Sequence, residues 1–223
     1  MFKTDSLQLT EKSLGFFSHK TKDRILISSL VLFNEGGFNN VTTASIAKHT
    51  GILEGSLWYH FNSKKDIVST HIQILEKVFF SVNKHIDSKE FEIIIGEFFQ
   101  SYNIIWDFRY ILRDNFQKTF EGDESILKSI KKINNFLDKW AENKILHSYE
   151  SGLIKINSKE IENLSEIILV IGRYWLDFSM KKYPDFNISS LRLKGLKHIV
   201  TVLSPYLNPQ GIPTIENMLK QLK

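Results

Sequence analysis

Residues 42–61 read Thr-Thr-Ala-Ser-Ile-Ala-Lys-His-Thr-Gly-Ile-Leu-Glu-Gly-Ser-Leu-Trp-Tyr-His-Phe, and this stretch decides the fold. Thr42 is a good N-cap, and Ser45 three residues on closes a weak capping box. Ile46 and Ala47 turn inward. Gly51 breaks the run where a helix must end with φ > 0. A second helix of less than two turns follows, from Glu54 to His60. Two short helices joined by a tight glycine turn are too small to fold alone. They make sense clamped by a third helix, with the second presented to a DNA major groove.

The flanks supply that clamp. Over residues 22–36, Leu26, Leu30 and Phe33 share one helical face, and Ser28-Ser29 let another helix come close. Glu35-Gly36-Gly37 ends this helix, and Phe38 and Val41 are expected beneath the helix-turn-helix. Downstream, Ser63-Lys64-Lys65-Asp66 opens another helix with Ser63 as N-cap and Asp66 three positions on. Lys64 and Lys65 lie at its positive end, where an anionic partner such as a phosphate would relieve them. This helix is expected to run to His85.

Residues 22–68 resemble the DNA-binding head of the tetracycline-repressor (TetR) family of bacterial regulators. The carrying residues include Ile25-Leu26, Leu32-Phe33, Gly37-Phe38, Thr42-Thr43, Ile46-Ala47, Gly51, Gly55, Leu57, Tyr59-His60-Phe61, Ser63-Lys64 and Ile67. Three positions depart from the family pattern. Leu53 stands where Ser is usual, Glu54 where Lys is frequent, and Trp58 where a Tyr is usual. The resemblance implies phosphate or base contacts by Thr43, Gly55, Trp58, Tyr59, His60 and Lys64. The residues themselves add Thr42, Glu54 and Ser56 to the DNA-binding set. Glu54 can accept from a cytosine amino group, although a carboxylate at a helix N-terminus is also favourable in its own right. Ser56 can hydrogen-bond a base or a phosphate. Leu57 and Phe61 are read as core.

The rest of the chain is read as helices over 89–106, 107–121, 124–150, 158–182 and 188–204, with a final turn or helix over 214–222. Only 4 Pro and 11 Gly, with long stretches of 3–4 periodicity, point to an all-α protein. The expected organisation is an extension over 1–20, a DNA-binding domain over 21–68, a regulatory and dimerisation domain over 69–207, and a tail over 208–223. In the extension, Leu14, Phe16 and Phe17 suit packing on the head. Lys12, His19 and Lys20 would suit a DNA-contacting arm.

Composition narrows the function classes. Apolar content of 42% and charged content of 24% are those of an ordinary globular chain. Zero Cys rules out disulfides and thiolate chemistry. The net charge of +4 suits nucleic acid, but residues 1–68 hold 8 Lys/Arg against 6 Asp/Glu, so the motif and not the charge points to DNA. No run of about 18 apolar residues spans a membrane. The opening Met-Phe-Lys-Thr-Asp-Ser lacks a signal core, so the expected compartment is the cytoplasm. No phosphate loop or metal-ligand cluster is present, so no cofactor, metal or enzymatic activity is expected.

The expected function is therefore a homodimeric repressor on a near-palindromic operator, released by a small, mostly apolar effector. Aromatics with embedded charges, Phe98, Tyr102, Trp106, Arg109, Arg113, Phe116, Trp140, Tyr174, Trp175 and Phe178, are the expected effector site. Short stretches around Trp106–Asp114 and Tyr174–Phe178 also resemble the ligand-binding bodies of some family members. Effector binding would tilt the helix that starts at Lys64. The family pairs its last two long helices between subunits, which implies an interface through Ile167, Ile171, Leu196, Ile199, Val200 and Leu203. Two alternatives stand beside this reading. One is a regulator of the same fold without a small-molecule ligand, and the other is a ligand-carrying or catalytic body with a vestigial head.

Overall fold

The structure is a computed structural model that describes residues 9–83 and 88–221. Eleven α-helices lie among the described residues: α1 Glu11–Leu14, α2 Thr21–Gly36, α3 Thr43–Thr50, α4 Glu54–His60, α5 Lys64–Val82, α6 Phe91–Asp107, α7 Asp114–Thr119, α8 Glu124–Glu150, α9 Ile161–Lys182, α10 Ile188–Leu203 and α11 Ile212–Gln221. The all-α expectation holds, and the helix boundaries fall within a few residues of those read from the sequence. Position 85, the expected end of α5, lies outside the described residues. Among the described residues no helix is long and apolar enough to cross a membrane.

The chain forms two compact units, residues 1–81 with 107–132 and residues 82–106 with 133–223. This division differs from the one expected. Residues 107–132, assigned from sequence to the body, pack with the N-terminal head. The cause is an aromatic cluster. Phe38 meets Phe116 and Phe120 at ring separations of 5.7 and 5.2 Å, and Tyr110 meets Phe33 and Phe116 at 5.2 and 5.0 Å. These separations suit offset and edge-on ring packing, which adds to the area the rings bury.

Polar bonds fix the register of this unit. Asn34 donates to the Asp107 carbonyl at 2.7 Å and accepts from the Tyr110 N–H at 3.1 Å. His71 is fully buried. Its Nε2 faces the Leu26 carbonyl at 3.0 Å, so that nitrogen carries the proton, and its Nδ1 accepts from the Tyr110 hydroxyl at 2.7 Å. Burial pushes the His71 pKa down to about 4, against the pull of the Leu26 hydrogen bond. The extension also joins this unit. Thr10 reaches Asp107 Oδ2 through its N–H at 3.1 Å and its hydroxyl at 2.5 Å, and Ser13 and Leu9 are buried. Lys12, His19 and Lys20 remain exposed.

In the second unit α9 and α10 lie side by side. Gly195 on α10 makes this possible, because a Cβ there would collide with the Trp175 ring and the Tyr102 hydroxyl. The same two side chains bond to α10, Trp175 Nε1 to the Leu191 carbonyl at 2.7 Å and the Tyr102 hydroxyl to the Arg192 carbonyl at 3.0 Å. Asn83 accepts from Trp140 Nε1 at 2.9 Å and donates to Ser101 at 3.0 Å. Lys144 and Glu97 form a buried ion pair at 2.5 Å. Buried charges of this kind need a partner, and here each supplies the other's.

The expected dimer residues divide on two sides of this packing. Leu196 and Ile199, expected at the interface, are each only 1% exposed and belong instead to the subunit's own core. Close approach at Gly195 turns that face of α10 inward. Ile171, Val200 and Leu203 pack on the same core and are half-buried. Ile167 is exposed, and so are Val170, Tyr174 and Phe178 farther along α9.

Candidate nucleic-acid interface

The helix-turn-helix is built as its residues dictate. Ser45 N–H donates to Thr42 Oγ1 and Thr42 N–H to Ser45 Oγ, both at 3.1 Å, so the capping box is complete. Gly51 takes the left-handed conformation, φ 75° and ψ 40°, at the end of α3. Arg24 of α2 donates to the Thr50 carbonyl at 2.6 Å, placing a cation at the negative end of α3. Leu57 and Phe61 are buried, which fixes the inner face of α4.

The opposite face of α4 is open. Gly55, Ser56, Trp58 and Tyr59 are exposed, with Tyr59 at 86% and Trp58 at 42%. Gly55 has no internal reason to be glycine. A Cβ built there meets no atom within 4 Å, and no left-handed backbone requires it. A glycine inside a helix costs about 0.5–1 kcal/mol relative to alanine. The surface of α4 at Gly55 is therefore open to close approach. His60 is half-buried with its ring edge-on to Tyr59, the centroids 5.2 Å apart.

Two expected DNA contacts turn out to meet each other. Thr43 Oγ1 donates to Glu54 Oε1 at 2.6 Å, tying the first turn of α3 to the first turn of α4. Thr42 remains exposed at its cap.

Lys64 is largely engaged within the head. Its ammonium donates to the carbonyls of Phe38 and Val41 at 2.9 and 2.7 Å and lies 4.2 Å from the Phe38 ring centre. Burial pushes its pKa down. An ammonium has three donors, so at most one is left for a phosphate. Its main structural work is to staple α5 to the segment before α3. Lys65, its neighbour, pairs with Asp123 at 2.6 Å on the surface and holds that carboxyl below its ordinary pKa.

Leu53 is not among the residues expected to contact DNA. It is 81% exposed immediately before α4. It occupies a position where a capping Ser, Thr, Asp or Asn is preferred, and it makes no side-chain cap bond.

The expected effector residues fall in both units. Phe116 lies in the aromatic cluster of the head, and Arg109 is buried in the same unit, with Arg113 half-buried there. Tyr174 and Phe178 are exposed on α9, and Trp106 and Trp175 pack in the core of the second unit. Phe98, Tyr102 and Trp140 do line a cavity, of about 20 Å³, together with Leu137, Gly172 and Arg173. A second cavity, of about 40 Å³, is bounded by Phe98, Phe99, Ile145, Lys144 and Ser148. Such volumes hold a few water-sized groups, well short of the roughly 150 Å³ that accepts a benzene ring. The large rings interlock where gaps were expected: Phe98 stacks on Trp140 at 6.1 Å, with an interplanar angle of 21°.

Against this geometry the comparisons agree with one another. A family model described as bacterial regulatory proteins of the tetR family matches residues 25–70, and one described as bacterial transcriptional repressor matches residues 80–214. The chain is similar to the IcaR negative transcriptional regulator of the biofilm operon icaADBC in Staphylococcus aureus, with 26% identity over 167 residues, 72% of this chain and 86% of that protein. Among solved structures it is similar to a TetR-family transcriptional regulator from Marinobacter aquaeolei VT8, with a TM-score of 0.68 and 25% identity, covering 92% of this chain and 99% of that one. It shares its fold with the ketosteroid transcriptional regulator KstR2 of Mycobacterium tuberculosis, with a TM-score of 0.58 and 17% identity over 86% of this chain and 97% of that one.

Proposed function

Because the chain belongs to the TetR family of bacterial transcriptional regulators, we propose that it is a repressor that binds a near-palindromic operator as a symmetric dimer. A transcriptional regulator, not an enzyme, is what the family provides. The observation that carries the DNA reading is the outer face of α4: an uncrowded glycine beside exposed Ser56, Trp58 and Tyr59 on a helix whose inner face is buried through Leu57. Ser56 and Tyr59 supply hydrogen bonds to bases or phosphates there. The repressor sign is supported by the relative in Staphylococcus aureus, which is a negative regulator. The dimer is supported by α9, where Ile167, Val170, Tyr174 and Phe178 form an exposed apolar stripe at spacings of three, four and four residues.

The test is selection of bound duplexes from a random library by the full-length protein. Enrichment of a two-fold symmetric sequence, bound with an affinity that falls steeply with salt, is expected. Recovery of no preferred sequence would refute the DNA reading.

A small-molecule effector is the finer part of the proposal. Its site is the pair of cavities in the second unit, with Lys144, Ser148 and Arg173 as the polar groups among apolar walls. The small volumes favour the rival reading, a regulator of the same fold without such a ligand. A thermal-shift screen of neutral and acidic apolar compounds decides between them. A hit must also release the selected operator, since a ligand shifts DNA affinity only by its preference for the weak-binding state.

A further inference from the structure

We propose that Leu53 reads DNA sequence through the C5-methyl group of a thymine in the major groove. The inference rests on α4 being the DNA-contacting helix.

Leu53 breaks two local rules at once. It precedes α4 in extended backbone, φ −72° and ψ 147°, with no side-chain hydrogen bond to the first turn of the helix. A Ser, Thr, Asp or Asn oxygen there would accept from a free N–H of α4, and an aliphatic side chain gives that up. Leu53 also leaves 81% of its surface exposed, so it gains little from burial in the subunit. A residue that costs stability locally and returns little internally fits a partner outside the fold.

Its surroundings select that partner. Leu53, Glu54, Gly55 and Ser56 are consecutive exposed residues and continue onto exposed Trp58 and Tyr59, so the leucine belongs to the same open surface as uncrowded Gly55. Glu54 beside it is held by Thr43, which anchors the start of the helix. In the major groove the base edges offer donors and acceptors at every pair, and the thymine methyl is the apolar group among them. An aliphatic side chain has nothing to exchange with the donors and acceptors, and it gains by shielding the methyl from water.

The experiment uses full-length protein and the duplex selected from the random library. Each thymine is replaced in turn by deoxyuridine, which removes the methyl and leaves the hydrogen-bonding edge intact. One thymine per half-site is expected to matter. Its replacement should weaken binding about fourfold in one half-site and about fifteenfold in both, the effect of burying one methyl-sized group each time. Leu53→Ser restores a capping hydroxyl at an exposed position and so keeps the fold. It should bind the thymine and deoxyuridine duplexes equally. The proposal is overturned if the wild type ignores every replacement, or if Leu53→Ser still discriminates, which would give the methyl contact to Trp58 or Tyr59. Selection that yields no preferred sequence removes the underlying DNA reading, and is told apart from the other two outcomes by the absence of any operator to substitute.

Discussion

Helices α4 and α9 both leave large apolar side chains uncovered, but they do so in different patterns. On α4 the exposed residues are Trp58 and Tyr59, joined by Leu53 just ahead of the helix, and they sit among a glycine, a serine and a carboxylate on seven helical residues. That mixture suits a surface made of polar edges with isolated apolar points. On α9 they are Ile167, Val170, Tyr174 and Phe178, a continuous stripe along a helix of 22 residues. A stripe of that length matches another helix. Exposure alone therefore does not identify a partner; spacing and polar neighbours distinguish the two surfaces.

The comparison is broken most severely by putting charge on the wrong side of the α9–α10 pair. Ile199→Asp places a carboxylate in the subunit core and should cost more than about 4 kcal/mol, seen as loss of the helical circular-dichroism signal. Val170→Asp places the same carboxylate on the outer stripe. It should leave helicity intact but convert dimer to monomer in sedimentation equilibrium. Affinity for a symmetric operator should then drop by about 100-fold, because two linked half-sites no longer bind together. A Val170→Asp protein that remains dimeric would move the interface off α9.

Acid tests the support beneath α4. His71 is neutral in the fold with a pKa near 4, against 6.5 as the ordinary value. Between those values the unfolded chain binds more protons, so stability is full above pH 6.5 and falls as pH drops toward 4. By pH 5 this group should remove about 2 kcal/mol, measurable by urea unfolding at pH 7 and pH 5. A His71→Gln variant should lose less over the same interval.

The smallest effect sharpens the contrast most. Gly55→Ala should raise stability by about 0.5–1 kcal/mol, since nothing in the subunit opposes a Cβ there. It should weaken operator binding all the same, by about tenfold if the methyl holds the helix off the groove by one contact. Binding unchanged in a stabilised protein would mean that DNA does not approach Gly55 closely.

Much of this was legible in the sequence, for reasons that can be named. Thr42, Ser45 and Gly51 announce their conformations locally, because capping and left-handed turns depend on few neighbours. The α9 and α10 apolar periods announced two helices with apolar faces. Which face turned inward was not legible, because Leu196, Ile199 and Ile167 are chemically alike and only the contact made at Gly195 separates them. The same limit applies to Lys64 and Phe116. A lysine at a helix start looks like a phosphate ligand, and nothing in the sequence shows that the Phe38 and Val41 carbonyls take two of its donors. A phenylalanine near Arg113 looks like a pocket wall until Phe38 and Phe120 fill its surroundings.

Gly195 has a consequence in the language of the genetic code. Every nonsynonymous single-base change of a glycine codon that keeps the reading frame open introduces a residue with a Cβ, and here that atom would strike Trp175 and Tyr102. No one-step neighbour in codon space is therefore free of collision at this site. Any replacement at 195 requires a compensating change at Trp175 or Tyr102, or a shift of the helices. Residues 53 and 55 carry no such restriction, since Leu53 is exposed and a Cβ at 55 meets open space.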